Sequence, residues 1–131
     1  MEALIIDDDP VHHKITGIYL KKCSAVSKFK CYLDPAYALR ELMETYYESR
    51  SLPEVILLDI KMPVVNGWAF LDVLNSFIII NNLNTHVYII TSSIDPFDEL
   101  KTMLYSCIKG YYVKPVSGLM IDEIIRKYGL K

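Results

Sequence analysis

Four apolar runs of strand length each lead into side chains that can do chemistry. These side chains are two neighbouring acids, Asp7 and Asp8, a third acid, Asp59, a hydroxyl, Thr91, and a base, Lys114. Continuous apolar runs bounded by turn formers are typical of strands buried on both faces of a parallel sheet. Because the carboxyl ends of parallel strands lie along one edge of the sheet, we expect these residues to share one rim.

The residue types on this rim suit phosphoryl transfer. Carboxylates that lie close together repel one another, so their ionised forms need a cation. All-oxygen ligation with few protein groups suits Mg²⁺, which keeps several of its waters. Beside such a cation, Asp59 could act as a nucleophile and form an acyl phosphate. Lys114 could then neutralise phosphoryl oxygens, and the Thr91 hydroxyl could donate to one of them.

The chain around the rim is predicted to alternate strands and helices. The predicted strands are residues 3–7, 27–32, 55–58, 86–91 and 111–113. The predicted helices are residues 10–23, a second from 35 that ends within 49–53, a third from about 68 that includes 78–80, a fourth from 96, and a last one from Ser117 or Gly118. This alternation indicates an α/β fold with a parallel sheet between helices. The polar and apolar residues of 27–32 alternate, which predicts an edge strand.

Helical spacing predicts which residues face the core. The predicted inner residues are Val11, Ile15, Ile18 and Tyr19 in the first helix, and Leu100, Met103 and Leu104 in the fourth. We interpret His12 and His13 as ordinary helix residues near a site, rather than as ligands or phospho-acceptors. Because they are adjacent, they should point to different faces and should not share a target.

Length and composition limit the class of protein. The 131 residues are 52% hydrophobic and 23% charged, which suits one folded domain over residues 1–131 and argues against disorder. A formal net charge of −2 gives no general attraction to nucleic acid. No apolar stretch is long enough to span a bilayer, and no signal peptide is visible. We interpret Cys23, Cys31 and Cys107 as reduced core thiols of a cytoplasmic protein, since they lack metal-ligand spacing.

Four motifs, in order along the chain, resemble the receiver domain of two-component response regulators. The motifs are LIIDDDP at 4–10, LLDIKMP at 57–63 with NG at 66–67, IITS at 89–92 and GYYVKP at 110–115. The resemblance extends over essentially the whole chain. It implies a flavodoxin-like, doubly wound fold with five parallel strands in the order 2-1-3-4-5 and five helices.

The resemblance implies a phosphorylation site and a metal site. Asp59 matches the phospho-acceptor, which takes a phosphoryl group from the phosphohistidine of a kinase. Asp8 and Asp59 match carboxylate ligands of Mg²⁺, and the backbone carbonyl of Lys61 matches a further ligand. Asp7 matches the acid that holds the metal ion through water.

The resemblance also implies a switch. Thr91 and Lys114 match the pair that grips the phosphoryl group, and Tyr111 matches an aromatic residue that turns inward when Thr91 moves. The face expected to change includes the helix from 96, the strand of Tyr111 and the last helix. The apolar contacts expected to differ there are Pro96, Phe97, Leu100, Met103 and Tyr111.

The resemblance implies two kinds of partner: one that donates the phosphoryl group and one that binds the face changed by the switch. The phosphoryl donor is a sensor histidine kinase or a phosphotransfer protein. No output domain follows the last helix, so we expect either a stand-alone receiver or a fragment of a longer protein. The output face would serve another protein or a second copy of this chain. Neither nucleic acid nor membrane is expected as a partner.

Some positions depart from the usual pattern of the family. Ser92 is small but polar where an apolar residue is common. Lys61 and Ser93 occupy positions that vary in the family and influence the lifetime of the phosphoryl group. A receiver catalyses only its own phosphorylation and dephosphorylation, so we do not expect an enzyme that acts on other substrates.

Two alternatives remain open. A phosphatase of the haloacid dehalogenase type also uses an aspartate nucleophile, Mg²⁺, a hydroxyl and a lysine. That family places a second acid two residues after the nucleophile, where this chain has Lys61. The other alternative is a degenerate receiver that only binds, against which the intact acids, Thr91 and Lys114 argue.

Overall fold

The computed structural model of the chain describes residues 1–62 and 67–129. The strands are β1 (Glu2–Ile6), β2 (Lys28–Tyr32), β3 (Val55–Leu58), β4 (His86–Thr91) and β5 (Ile108–Val113). The helices are α1 (Pro10–Lys21), α2 (Pro35–Ser49), α3 (Gly67–Ile80), α4 (Pro96–Thr102) and α5 (Gly118–Gly129). All strand pairs are parallel, and the sheet order is β2-β1-β3-β4-β5. The predicted doubly wound, flavodoxin-like order is confirmed.

Three helices begin at the residues predicted as their starts, and each starts with a proline that follows an aspartate. The capping residues are Asp9, Asp34 and Asp95, and each side chain accepts a hydrogen bond from the backbone N–H two residues later, over 2.9 to 3.0 Å. The proline that follows each cap lacks an N–H that the first helical turn would leave unpaired. The sequence therefore fixes where α1, α2 and α4 start, close to the carboxyl ends of β1, β2 and β4.

Two apolar clusters cover the two faces of the sheet. One joins the sheet to α2 and α3 through residues such as Leu42 and Leu74. The other joins it to α1 and α5 through residues such as Leu20 and Ile121. Every residue of β3 is buried, as expected for a central strand covered on both sides.

The predicted inner face of α1 is wrong for three of its four residues, whereas the fourth, Tyr19, is half-buried and packs against the core as predicted. Val11, Ile15 and Ile18 are exposed, and the helix instead buries His12, Thr16, Gly17 and Leu20. Gly17 faces β2, where an added Cβ would lie 3.3 Å from the ring of Phe29. Close packing of this glycine against β2 turns the apolar stripe of α1 towards solvent.

The predicted burial in α4 is also wrong. Leu100, Met103 and Leu104 are all more than half exposed, and the helix ends at Thr102. Tyr105, just beyond the helix, is buried instead. Its hydroxyl donates to Asp72 over 2.6 Å, and its ring stacks on Trp68 of α3 with centroids 5.8 Å apart.

Several element ends differ from the predicted ones. β5 begins at Ile108 rather than at 111, because Ile108 pairs with Val87 before a register shift brings Gly110 beside Tyr88. β1 covers 2–6 and α1 ends at Lys21, each within two residues of expectation. Residues 78–80 are helical, as predicted. The expected loop residues Pro63 and Asn66 lie outside the described part of the chain.

All three cysteines are free, but only Cys107 is a core thiol. Cys23 is half-buried and Cys31 is exposed on the edge strand, so the prediction of burial is wrong for Cys31. Within residues 1–62 and 67–129, no helix combines the length and the apolar character that a membrane span requires.

Candidate functional site

The structure brings the predicted rim residues together at the carboxyl ends of four strands. Asp7 follows β1, Asp59 follows β3, Thr91 ends β4 and Lys114 follows β5. Lys114 Nζ lies 2.8 Å from Asp7 Oδ2 and 3.0 Å from Asp59 Oδ2. The backbone N–H of Lys114 also donates to the Thr91 carbonyl over 2.8 Å. One lysine therefore joins the ends of three strands.

Both acids that Lys114 contacts are almost completely buried. Asp7 is 2% and Asp59 is 3% exposed. Burial alone would raise the pKa of Asp7, but hydrogen bonds from His12 and Lys114 outweigh it and lower that pKa. Burial alone would lower the pKa of Lys114, but the two carboxylates outweigh it and raise that pKa. The geometry thus favours the charged form of both partners.

A third acid, Asp8, completes a cluster that fits a divalent cation. Carboxylate oxygens of Asp7, Asp8 and Asp59 all lie within 4.8 Å of one another, and Asp8 is exposed to solvent. Partial burial and the charges of the other two acids raise the pKa of Asp8. Hard oxygen donors with an open, hydrated side suit Mg²⁺. When bound, such an ion neutralises the acids and the charge on phosphoryl oxygens.

Asp59 is oriented through both of its oxygens. Oδ1 accepts the backbone N–H of Lys61 over 2.9 Å, and Oδ2 accepts from Lys114 Nζ. The backbone nitrogen of Lys61 therefore helps to hold the Asp59 carboxylate in place. The role of its carbonyl as a metal ligand stays a prediction.

Thr91 is fully buried and is joined to the neighbouring loop. The backbone N–H of Ser93 donates to Thr91 Oγ1 over 3.2 Å, and the hydroxyl of Tyr111 donates to the Ser93 carbonyl over 3.5 Å. Tyr111 is half-buried, and burial raises its pKa. The Ser93 hydroxyl donates a hydrogen bond to Asp98 in the first turn of α4. These contacts connect Thr91, Tyr111 and α4 through one serine.

Two histidines contact Asp7, which the sequence analysis did not predict. His12 Nδ1 lies 2.6 Å from Asp7 Oδ2, and His13 Nε2 lies 2.7 Å from the Asp7 backbone oxygen. The expectation that adjacent histidines cannot share a target is therefore wrong. Asp7 lies just before the first turn of α1, where side chains from two sides of the helix can reach it. The spacing of His12, Thr16 and Leu20 is helical and was the available signal for this buried face.

Comparison with known proteins identifies the family. The protein-family model described as the response regulator receiver domain matches residues 3–126 of the sequence. A solved two-component response regulator from Cytophaga hutchinsonii is similar, with a TM-score of 0.87 and 24% sequence identity over 99% of this chain and 97% of that chain.

Two further solved structures share the fold. The receiver domain of Ssk1 from Saccharomyces cerevisiae has a TM-score of 0.80 at 21% identity, over 99% of this chain and 89% of that one. The chemotaxis protein CheY4 from Vibrio cholerae has a TM-score of 0.73 at 19% identity, over 97% of each chain. The comparison with curated proteins found no match. Since the family model covers nearly all of the sequence, the chain belongs to the response regulator receiver domain family.

Proposed function

We propose that this receiver domain accepts a phosphoryl group on Asp59 from a phosphohistidine donor, in a reaction that requires Mg²⁺. The observation that carries the proposal is the buried pair Asp7 and Asp59, joined by Lys114 at 2.8 and 3.0 Å. A buried ion pair is poor evidence for stability, because removing charges from water offsets most of their attraction. Its position at a sheet edge beside Asp8 and Thr91 instead supports a chemical role.

The Asp59 carboxylate is the nucleophile in the proposed step. One of its oxygens bonds to phosphorus as the P–N bond of the donor breaks, and the electron pair of that bond stays on the donor imidazole. Hydrogen bonds from Lys61 N–H and Lys114 Nζ orient the carboxylate before attack. The Lys114 ammonium then has two acceptors, the phosphoryl group and Asp7.

Thr91 supplies a second contact for the phosphoryl group. Its Oγ1 accepts from the Ser93 N–H, which leaves the hydroxyl hydrogen free to donate. If Thr91 moves towards the phosphoryl group, the hydrogen bonds of Ser93 connect that movement to Tyr111 and α4. This connection supports the role of Tyr111 as the switch residue.

A histidine kinase or a histidine phosphotransfer protein is the proposed donor. A solved structure contains the histidine phosphotransfer signalling protein Ypd1 of Saccharomyces cerevisiae with the receiver domain of Ssk1, which shares this fold. In the present chain, α1 begins beside the acid cluster and exposes Val11, Ile15 and Ile18 along one side. A donor that covers Asp59 would find this apolar stripe next to the site.

The output face is proposed to be α4 with the neighbouring strand β5 and helix α5. Phe97, Leu100 and Met103 expose more than half of their surface there. Another protein or a second copy of this chain would bind this face. A cytoplasmic location is in keeping with such partners and with three free cysteines, and it stays a prediction.

Incubation with acetyl phosphate tests the proposed chemistry. Intact mass spectrometry should show one added phosphoryl group in the presence of Mg²⁺ and none after chelation. Asp59→Asn should remove the modification, whereas Asp122→Asn, a change at an exposed acid of α5, should leave it unchanged. Full labelling of the Asp59→Asn protein would overturn the assignment.

The same preparation separates a receiver from a phosphatase of the haloacid dehalogenase type. A receiver should gain one phosphoryl group and release no product steadily from p-nitrophenyl phosphate. Sustained turnover that Asp59→Asn abolishes would instead support the phosphatase. Nothing in the described site favours that alternative, since Lys61 stands where the phosphatases have their second acid.

A further inference from the structure

His12 is a buried polar side chain that takes no part in the phosphoryl transfer proposed above. Its side chain is 8% exposed and lies beneath Asp7, with Nδ1 2.6 Å from Asp7 Oδ2. Two acceptor atoms would repel each other at this distance, so Nδ1 carries a hydrogen. Asp7 Oδ1 meanwhile accepts the backbone N–H of Asp9 over 2.9 Å. The Asp7 carboxylate is therefore held from both of its oxygens.

The surroundings of the His12 imidazole are largely aliphatic. The space beneath Asp7 and Asp59 is otherwise lined by aliphatic residues of β1, β3 and β4 and by Thr16. Among the described residues, His12 Nε2 and Thr16 Oγ1 are buried without a hydrogen-bond partner, and the 2.6 Å approach of His12 Nδ1 to Asp7 Oδ2 is a close charge contact rather than a well-aligned hydrogen bond. Burying an unpaired polar atom costs free energy. An aliphatic side chain would serve packing better, so packing alone does not account for a histidine here.

We propose that His12 is a positioning residue, which fixes the Asp7 carboxylate for the divalent cation and for Lys114. This inference rests on the proposed function of the acid cluster. Lys114 Nζ is shared between Asp7 and Asp59. Once Lys114 also contacts a phosphoryl group on Asp59, its contact with Asp7 is shared, whereas the contact of His12 Nδ1 with Asp7 Oδ2 is not. Partners that orient metal-binding side chains typically change metal affinity by about 10- to 100-fold.

Three substitutions separate positioning from packing. In His12→Asn, the amide nitrogen takes the place of Nδ1, whereas in His12→Gln it takes the place of Nε2. His12→Leu fills the space but has no donor. Thr16→Val is the matched control, because it changes a buried polar residue of the same helix face whose hydroxyl makes no hydrogen bond to Asp7.

The readout is the Mg²⁺ dissociation constant, measured by NMR titration of backbone amides in the full chain without any phosphoryl donor. His12→Leu should weaken Mg²⁺ binding roughly tenfold. His12→Asn should bind more tightly than His12→Gln, and Thr16→Val should match the wild type. A packing role predicts the reverse order, since leucine and glutamine fill the site better than asparagine does.

Two outcomes would overturn the role of His12 while leaving the proposed function intact. One is wild-type Mg²⁺ affinity in a folded His12→Leu protein. The other, which needs no variant, is a long-range ¹H–¹⁵N spectrum of the wild type that shows His12 protonated on Nε2 and bare on Nδ1. Failure of the wild type to bind Mg²⁺ or to be phosphorylated would instead contradict the proposed function.

Discussion

At the scale of single residues, the site is a balance between three carboxylates and one ammonium. Lys114 contacts two buried acids, whereas Asp8 stands beside them and faces solvent. The three acids suit a cation better than they suit an empty site. Substitutions at Asp8 and Lys114 should therefore change stability in opposite directions.

Asp8→Asn should stabilise the metal-free protein. Partial burial and the charges of Asp7 and Asp59 raise the pKa of Asp8, so its ionised form opposes folding. The wild type should lose stability as the pH rises from the unfolded pKa of about 3.8 through the raised folded pKa. The variant should lack that loss and should melt higher at pH 7. Thermal melts at pH 7 without Mg²⁺ check this, and a lower melting temperature of the variant would contradict it.

In the presence of Mg²⁺, the wild type should become more stable to heat than the Asp8→Asn protein. Because Asp8 is a proposed ligand, Asp8→Asn should gain less stability than the wild type when the ion is added. The same series of melts, repeated with Mg²⁺, measures this difference. Equal gains in both proteins would exclude Asp8 from the metal site.

Lys114→Met should destabilise the metal-free protein by about 3 kcal/mol, because it leaves two buried carboxylates without their cation. Burial alone would raise the pKa of Asp7, and Lys114 is one of the groups that lowers it below its usual value. Ionised Asp7 therefore contributes stability above about pH 3.8, and this stability is lost as the pH falls through the lowered pKa. Urea unfolding at pH 7 and pH 3 should show a smaller difference between wild type and variant at pH 3. Equal stability of the two proteins at pH 7 would contradict this account.

At the scale of elements, the loop from Thr91 to α4 is the part that can transmit a change. Ser93 is buried, its N–H donates to Thr91, and its hydroxyl donates to Asp98. Asp98 and Glu99 both lie in the first turn of α4, where a negative charge interacts favourably with the helix dipole. Only Asp98 is joined to Ser93 in this way.

Asp98→Ala should loosen α4 more than Glu99→Ala does. Loss of a hydrogen bond to a charged acceptor should speed amide exchange in the first turn of α4 roughly tenfold, whereas Glu99→Ala removes only the dipole interaction. Hydrogen exchange with mass spectrometry measures both variants. Phosphorylation of Asp59 should continue in each of them, and equal exchange in the two would exclude the Ser93 connection.

The elements also show how much the sequence could predict. Strand ends and Asp-Pro helix starts are local signals, and the predicted rim was confirmed because apolar runs lead directly into Asp7, Asp59, Thr91 and Lys114. The inner face of α1 depends on long-range contacts. Val11, Ile15 and Ile18 have the spacing of a buried stripe, yet the contacts of Gly17 with β2 decide the rotation of the helix.

The role of His12 could not be predicted for the same reason. The proposed role depends on the 2.6 Å distance between His12 Nδ1 and the Asp7 carboxylate, and this distance exists only in the folded chain. In α4, aliphatic spacing again suggested burial, whereas the helix ends at Thr102 and leaves Leu100, Met103 and Leu104 exposed. Where the local pattern and the structure disagree, apolar side chains remain on the surface.

At the scale of the whole molecule, these exposed residues lie around the site on two sides. Residues of α1 expose one apolar stripe, and residues of α4 expose another. Several apolar side chains exposed on one helix can mark a protein interface. An input partner at α1 and an output partner at α4 would allow one phosphoryl group to connect two binding events.

Beryllofluoride, which mimics a phosphoryl group, should change both the site and the output face. Hydrogen exchange with and without it should differ near Asp59 and also across residues 96–114. If Thr91 and Tyr111 have two discrete packings, as the proposed switch requires, a small shift at Asp59 becomes a change of population at α4. Changes confined to the surroundings of Asp59 would leave a phosphate-binding module without a switch.

The most direct test of the central claim is chemical mapping of the phosphorylated residue. After phosphorylation with acetyl phosphate and Mg²⁺, borohydride reduces an aspartyl phosphate to homoserine, which peptide mass spectrometry can locate. We predict homoserine at position 59 and at no other aspartate. Homoserine at Asp7 or Asp8, or a stable phosphate on a histidine, serine or threonine with Asp59 intact, would contradict it.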